Sequence, residues 1–186
     1  MKGAASVGGR ERPRLFAALV LPDETVRRLV DWQSAALAAG DDVRAVGAAN
    51  LHITAAFLGP RPVSELEVIV GQLHEAAAAA ERPVLSATGY RETRSVGMVV
   101  LDDLGRHATA FAEDLQRRFQ AIGVYEPERR NWLPHVTVVR FRRRPKLTPE
   151  LPDLGRVSPS EAAVYHSVLR PTGAQYEVVE SVPLGS

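Results

Sequence analysis

The sequence predicts an α+β protein in which two lobes, related by a pseudo-twofold, pair largely antiparallel sheets around a central cleft, with helices outside. Strand-like and helical segments mix along the chain without the strict strand–helix alternation of a parallel sheet. The chain has 186 residues, a length that suits one domain of two small lobes. A His-x-Thr pattern at 52–54 returns at 135–137, 83 residues later, so each half carries a similar segment.

The first half of the chain alternates short apolar runs with amphipathic stretches. The apolar runs are bounded by Pro or Gly, which predicts strands over 14–21, 43–46 and 51–58. Apolar residues at helical spacing predict helices over 23–40, with Asp23 as the N-cap, and over 63–80, where an alanine run raises helix propensity.

The second half repeats this mixture and ends in a hairpin. Asp103 is a candidate cap for a third helix that reaches about Ile122. The segment 142–158 is rich in Pro and Arg, which predicts a loop. The predicted strands cover 83–90, 96–101, 135–141, 161–169 and 175–182.

These elements define the expected domain organisation. Residues 1–13 are polar, Gly-rich and basic, so we expect a disordered tail rather than a secretory signal. Residues 14–182 form one bilobal domain, and 183–186 form a short C-terminal tail. No apolar run approaches the roughly 20 residues of a membrane span. The chain has no cysteine, which is compatible with a reducing cytoplasm, and no dimer seam is evident, so a cytoplasmic monomer is expected.

The two His-x-Thr patterns carry the predicted chemistry. Residues i and i+2 of a strand point to the same face, so His52 projects with Thr54 and His135 with Thr137. Two imidazoles can remove one proton and deliver another near neutral pH, and hydroxyls can donate hydrogen bonds to phosphate oxygens. This set suits cleavage of a cyclic phosphodiester without a metal. The alternative is structural: histidines satisfied by hydrogen bonds, beside threonines that are ordinary strand residues.

Longer stretches around these patterns resemble a known family. LHITAAFLG at 51–59 and PHVTVVRF at 134–141 resemble the paired motifs of the two-histidine (2H) phosphoesterase superfamily. RLFAALVLP at 14–22 and SVLRPTGAQYEVVE at 167–180 resemble the opening strand and closing hairpin of one branch. That branch is the LigT-like RNA 2',3'-cyclic phosphodiesterases, once named 2'-5' RNA ligases.

The resemblance implies a bilobal α+β fold and hydrolysis of an RNA-terminal 2',3'-cyclic phosphate to a 2'-phosphomonoester, with no metal and no cofactor. By motif position, His52 is the proton donor to the 3' oxygen and His135 the proton acceptor. Thr54 and Thr137 bind the phosphate, as does Arg140. Strict strand alternation would point Arg140 away from His135, so this role needs a strand end or a bulge.

Other candidates surround the second motif. Trp132 and Arg130 are further candidate substrate-binding residues: Trp132 could stack on a terminal base or be a packed loop residue. Phe16 and Phe57 are expected in the core, with a place in the lining of the base pocket as the alternative. The basic residues here either form an electrostatic collar for a polyanion or a solvated surface; they are Arg129, Arg130, Arg140, Arg142, Arg143, Arg144 and Lys146.

Several functions stay open from the sequence. The expected partner is RNA with a 2',3'-cyclic phosphate end, with tRNA fragments as one candidate. The same site could act as a 2'-5' RNA ligase, or on another cyclic nucleotide such as ADP-ribose 1'',2''-cyclic phosphate. A third alternative is a non-catalytic RNA-binding module. We expect no catalytic role for His74, His107 and His166, which have no partner at metal-ligand spacing.

Overall fold

The computed structural model describes residues 12–37, 42–171 and 173–185. Within them, strands and α-helices follow one another in the predicted order. They are β1 (Arg14–Val20), α1 (Asp23–Ala36), β2 (Val43–Ala45), β3 (His52–Pro60), α2 (Leu66–Ala79), β4 (Val84–Glu92), β5 (Val96–Leu104), α3 (His107–Ala121), β6 (His135–Phe141), β7 (Glu161–Arg170) and β8 (Gly173–Pro183).

The strands form two four-stranded antiparallel sheets, which confirms the predicted fold class. The first has the order β3-β1-β7-β8 and the second β2-β6-β5-β4. Each sheet therefore contains one His-x-Thr strand, β3 in the first and β6 in the second. Because β3 is an edge strand, its outer backbone groups are available to the other lobe.

The two sheets share one hydrophobic core. Helix α2 packs against β7 and β8, α3 packs against β3 and β5, and α1 contacts β6. Ile53 of β3 and Val136 of β6, the middle residues of the two motifs, are both fully buried in this core. Burial of these apolar residues fixes which face of each strand carries the motif side chains.

A β-bulge interrupts each motif strand at the same place. Ala55 of β3 has no paired residue on β1, and Val138 of β6 has no paired residue on β5. At each bulge two consecutive residues are buried, and the side chain that follows them lies on the exposed face of the strand. These side chains are Phe57 and Arg140, each five residues after its histidine.

Two helix caps test the sequence predictions. Asp23 is the first residue of α1, Pro22 occupies the N-cap position, and no side chain caps the helix, so the predicted Asp23 cap is wrong. Proline suits that place because its φ is fixed near the required value. Arg106 occupies the N-cap position of α3, so Asp103 is not the N-cap residue, although its carboxylate accepts hydrogen bonds from two backbone N–H groups of the first turn, those of Ala108 (3.3 Å) and Thr109 (2.7 Å).

The chain ends are folded further than expected. Pro13, placed in the predicted N-terminal tail, is buried and its carbonyl accepts a 2.9 Å hydrogen bond from the N–H of Arg61. At the other end Leu184 is buried, so the folded chain extends past the predicted boundary at 182. The predicted tail over 1–11 and the predicted helix end near Gly40 lie outside the described residues. Within the described ranges, no helix is both long and apolar enough to cross a bilayer.

Candidate active site

The two motif strands border a common cavity of about 210 Å³. Its wall includes five predicted site residues, which are His52, Thr54, His135, Thr137 and Arg140. β3 and β6 contact each other, so the strand pleat brings both His-Thr pairs to one place although they lie 83 residues apart.

The two imidazoles are oriented by the same backbone contact. Nδ1 of His52 lies 2.8 Å from the carbonyl oxygen of Asn50, and Nδ1 of His135 lies 2.7 Å from that of Leu133. Because a carbonyl only accepts, Nδ1 carries the hydrogen in both rings. In a neutral ring Nε2 then holds the lone pair and is the nitrogen that can serve as a base.

Thr54 interacts with its own motif histidine. Its Oγ1 lies 3.0 Å from Nε2 of His52. When that nitrogen is unprotonated, the hydroxyl donates the hydrogen bond, and when it is protonated, the hydroxyl accepts it. The pair can therefore exist in either protonation state without losing its contact.

An aromatic cluster surrounds His52. Its ring centroid lies 4.8 Å from that of Phe16, 5.3 Å from that of Tyr176 and 6.1 Å from that of Tyr165. Burial among these rings lowers the pKa of His52 to about 4, because the apolar surroundings disfavour the imidazolium.

Nearby positive charge contributes to this lowered pKa of His52. His135 and Arg140 both act in this direction, whereas the hydrogen bond to the Asn50 carbonyl opposes it. His52 is thus neutral at pH 7 in the ligand-free cavity. An anion placed beside Arg140 would favour the imidazolium instead.

Two arginines face each other across the cavity wall. Arg44 of β2 pairs directly with Arg140 of β6, and both line the cavity. Directly opposed residues of antiparallel strands project to the same face, where like charges repel. An anionic ligand between them relieves this repulsion, so the arrangement favours phosphate binding. The bulge at Val138 is what brings Arg140 to this face, as its predicted role required.

The second lobe holds the edge strand of the first through side chains. The indole Nε1 of Trp132 donates a 2.9 Å hydrogen bond to the carbonyl of Thr54. Nε2 of Gln116, in α3, donates a 2.7 Å bond to the carbonyl of Ala55. Trp132 is half-buried: part of its side chain packs against the core, and the remainder lines a neighbouring cavity.

A second cavity, of about 360 Å³, adjoins the first. The two share Thr54, Phe57 and His135 as lining residues. Arg130 and Trp132, predicted as further candidate substrate-binding residues, line this second cavity and are not among the residues that line the first.

The basic residues near the second motif do not act as one collar. Arg140 reaches the first cavity and Arg130 the second. Arg143 lies 3.4 Å from a carboxylate oxygen of Asp42, and Arg144 lies 3.2 Å from one of Glu92. For these two the structural interpretation is favoured, because a carboxylate already balances each charge.

The sequence did not single out several residues that line the first cavity. Arg44, Asn50 and Tyr176 line it but belong to no motif. Phe57 also lines it, and its predicted place in the core is wrong: the bulge at Ala55 leaves its side chain 63% exposed. The weak signal for Phe57 was its matching distance from the motif histidine, five residues, as for Arg140.

The remaining histidines lie away from the two cavities. His74 lies 3.5 Å from a carboxylate oxygen of Glu180, and His107 lies 3.2 Å from one of Glu81. Across residues 12–37, 42–171 and 173–185, no three His, Asp or Glu side chains are grouped as a metal site requires.

Comparison with known proteins gives structural relatives only. The sequence matches no protein-family model and no curated protein. TT0787 of Thermus thermophilus superposes with a TM-score of 0.78 at 28% identity, over 92% of this chain and 98% of that one. E. coli LigT complexed with NADP+ gives 0.78 at 21% identity, over 95% and 99%. A structure described as a phosphoesterase gives 0.78 at 22% identity, over 95% and 100%.

Proposed function

Because the chain is a member of the two-histidine phosphoesterase superfamily by its fold and paired motifs, we propose that it hydrolyses RNA-terminal 2',3'-cyclic phosphates to 2'-phosphomonoesters. The structural likeness supports a phosphodiesterase in general. That the substrate is a cyclic phosphate, and that it lies at the end of an RNA, is what we propose beyond this likeness.

One observation supports it most. A single cavity is lined by two imidazoles, two threonine hydroxyls and an arginine, and the Nδ1 atom of each imidazole is hydrogen-bonded to a backbone carbonyl. Phosphodiester hydrolysis needs one proton removed from water, one delivered to the leaving oxygen, and hydrogen bonds to the non-bridging oxygens. These groups meet all three needs.

The proposed reaction uses the histidines as a pair. Water attacks phosphorus while Nε2 of His135 accepts its proton, and the bond from phosphorus to O3' breaks as the Nε2–H of His52 donates to O3'. The products are a 2'-phosphate and a free 3'-hydroxyl. Proton transfer by each histidine would contribute about 10²–10⁴-fold to the rate. Thr54, Thr137 and Arg140 would stabilise the charge on the non-bridging oxygens.

This assignment requires His52 to gain a proton when substrate binds. Without ligand, burial and the neighbouring positive charges hold its pKa at about 4. The cyclic phosphate is an anion, so binding it beside Arg140 cancels positive charge and raises the pKa of His52. Substrate binding would therefore protonate His52 and so prepare it to act as the acid. The hydroxyl of Thr54 can accept a hydrogen bond from the newly protonated Nε2.

Structures of a related protein support a nucleotide substrate. E. coli LigT was solved with 3'-AMP, ATP, NADP+ and phosphate. We propose RNA ends, including those of tRNA fragments, as the partner, and a monomer acting in the cytoplasm. Ligation to a 2'-5' bond would use the same site with a 5'-hydroxyl in place of water: its oxygen attacks phosphorus, its proton goes to His135, and the bond to O3' breaks as His52 donates a proton. Hydrolysis of ADP-ribose 1'',2''-cyclic phosphate would use the same groups.

One assay tests the proposal. The protein is incubated with EDTA and an oligoribonucleotide ending in a 2',3'-cyclic phosphate, and the product is identified by chromatography. We expect a 2'-phosphate, with activity lost in His52→Ala and in His135→Ala. His74→Ala, a histidine change outside both cavities, is the matched control and should retain activity. An absolute need for a divalent metal, a 3'-phosphate product, or binding without turnover would overturn the proposal.

A further inference from the structure

The second cavity adjoins the proposed catalytic cavity but takes no part in the proposed hydrolysis. At about 360 Å³ it is larger than the first, and it meets the first along Thr54, Phe57 and His135. Any ligand whose phosphate lies between the two histidines can therefore extend directly into it.

Its lining combines aromatic rings with positive charge. Phe57 is 63% exposed, Trp132 is half-buried, and the largely buried Tyr125 also lines the cavity. Arg91 and Arg130 are exposed, and within the described part of the chain neither forms an ion pair with a carboxylate. Aromatic rings beside arginines are how proteins hold single-stranded nucleic acid, by stacking bases and contacting the backbone.

The rings are in place before a ligand arrives. The hydrogen bond from Trp132 to the Thr54 carbonyl fixes its indole at the border of the cavity. Glu128 also lines the cavity and offsets one of the two arginine charges there, so one net positive charge remains among these three side chains. That balance suits one phosphodiester better than a run of them.

Substrate connectivity says what the cavity would hold. In an RNA with a 2',3'-cyclic phosphate, the terminal ribose continues only through O5' to the phosphate of the preceding nucleotide. The first cavity holds the reacting groups and, with Tyr176, an aromatic wall for the terminal nucleoside. The chain must leave that cavity, and the adjoining one has the chemistry to receive it.

We propose that the second cavity binds the penultimate nucleotide of the RNA, with its base against Phe57 and Trp132 and its phosphate beside Arg91 and Arg130. This inference rests on the proposed function and names the length of RNA that the site prefers. The protein would be selective for RNA ends over free nucleoside cyclic phosphates.

The test compares kcat/KM for adenosine 2',3'-cyclic phosphate with kcat/KM for a diribonucleotide that ends in the same group. We expect the wild-type protein to prefer the dinucleotide by at least tenfold. The double variant Arg91→Ala/Arg130→Ala should lower that ratio about tenfold, mainly through KM of the dinucleotide. The matched control is Arg94→Ala/Arg129→Ala, two neighbouring arginines that line neither cavity, and its ratio should equal that of the wild type.

The outcomes separate this inference from the proposed function. Equal kcat/KM for the two substrates, or an unchanged ratio in the double variant, overturns the inference while the hydrolase stands. Equal losses on both substrates also overturn it, because the cavity would then hold the terminal nucleotide. If neither cyclic phosphate is hydrolysed by the wild-type protein, the proposed function itself fails.

Discussion

The indole Nε1 of Trp132 donates a 2.9 Å hydrogen bond to the backbone carbonyl of Thr54. Trp132 lies three residues before His135, and Thr54 is the last residue of the first motif. The bond therefore joins the first motif to the segment just before the second, across the boundary between the lobes. It also satisfies a carbonyl on the edge strand β3, which has no strand neighbour on that side.

Trp132→Phe removes this donor while keeping an aromatic ring. We expect the free energy of unfolding to fall by about 1–3 kcal/mol, since a partly buried carbonyl loses its partner. We also expect kcat to fall about tenfold, because small displacements of positioning groups are costly. Urea denaturation and steady-state kinetics on a cyclic phosphate measure the two effects.

Trp32→Phe is the matched control for that prediction. The Trp32 indole donates a 2.7 Å hydrogen bond to the carbonyl of Glu150, away from both cavities. This variant should lose less stability, because the exposed carbonyl of Glu150 can bind water instead, and it should keep its kcat. If the two variants change kcat equally, the Trp132 bond contributes to stability alone.

Arg140→Ala tests the opposed arginine pair. Arg140 and Arg44 are cross-strand neighbours of like charge, so removing one relieves repulsion in the free protein. We expect no loss in the free energy of unfolding. Inorganic phosphate should inhibit about 10- to 100-fold less well, the effect of losing one charge-assisted hydrogen bond. Arg142→Ala, outside both cavities, is the control. Unchanged inhibition by phosphate in Arg140→Ala would exclude Arg140 from the phosphate site.

Periodicity carried most of the fold prediction, and local breaks in periodicity account for what it missed. Alternation alone predicted that His52 projects with Thr54 and His135 with Thr137, and in the structure all four side chains line one cavity. Two bulges then reverse the alternation, which exposes Phe57 and turns Arg140 into the cavity. A bulge depends on pairing with a neighbouring strand, so the sequence of one strand does not reveal it.

Long-range contributions to the site were also beyond sequence reasoning. Arg44 reaches the first cavity from β2, which neighbours β6 in the second sheet, and Tyr176 reaches it from β8, at the far edge of the first sheet from β3. Arg44 belongs to no recognised stretch, and the resemblance over 167–180 gave Tyr176 no role of its own. The lowered pKa of His52 has the same origin, because it arises from rings on three strands, β1, β7 and β8.

The stability of the protein should depend on pH through His52. Its pKa falls from 6.5 to about 4 on folding, so between those values the unfolded chain binds more protons than the native protein. Stability contributed by neutral His52 is complete above pH 6.5 and is lost as pH falls toward 4. By linkage the loss attributable to this residue approaches about 3 kcal/mol.

Urea denaturation at about pH 7, 5.5 and 4.5 measures this dependence across the range in which the residue titrates. His52→Gln keeps a polar side chain that does not titrate, so its stability should fall less over the same range. Saturating phosphate should shift the wild-type transition toward lower pH, because the anion favours the protonated ring. Parallel pH curves for the wild type and His52→Gln would contradict the lowered pKa.

The division of labour between the histidines can be tested by changing the leaving group. In 3'-deoxyadenosine 2'-(4-nitrophenyl phosphate), nitrophenolate replaces O3' and departs without a proton. If His52 is the acid, His52→Ala should lose about 10²–10⁴-fold on the cyclic phosphate but at least tenfold less on the nitrophenyl ester. His135→Ala should lose equally on both, since water still needs a base. The opposite pattern, in which His135→Ala loses less activity on the nitrophenyl ester than on the cyclic phosphate, would reverse the roles. His52 would then be the base, and it is already neutral at pH 7 in the ligand-free cavity.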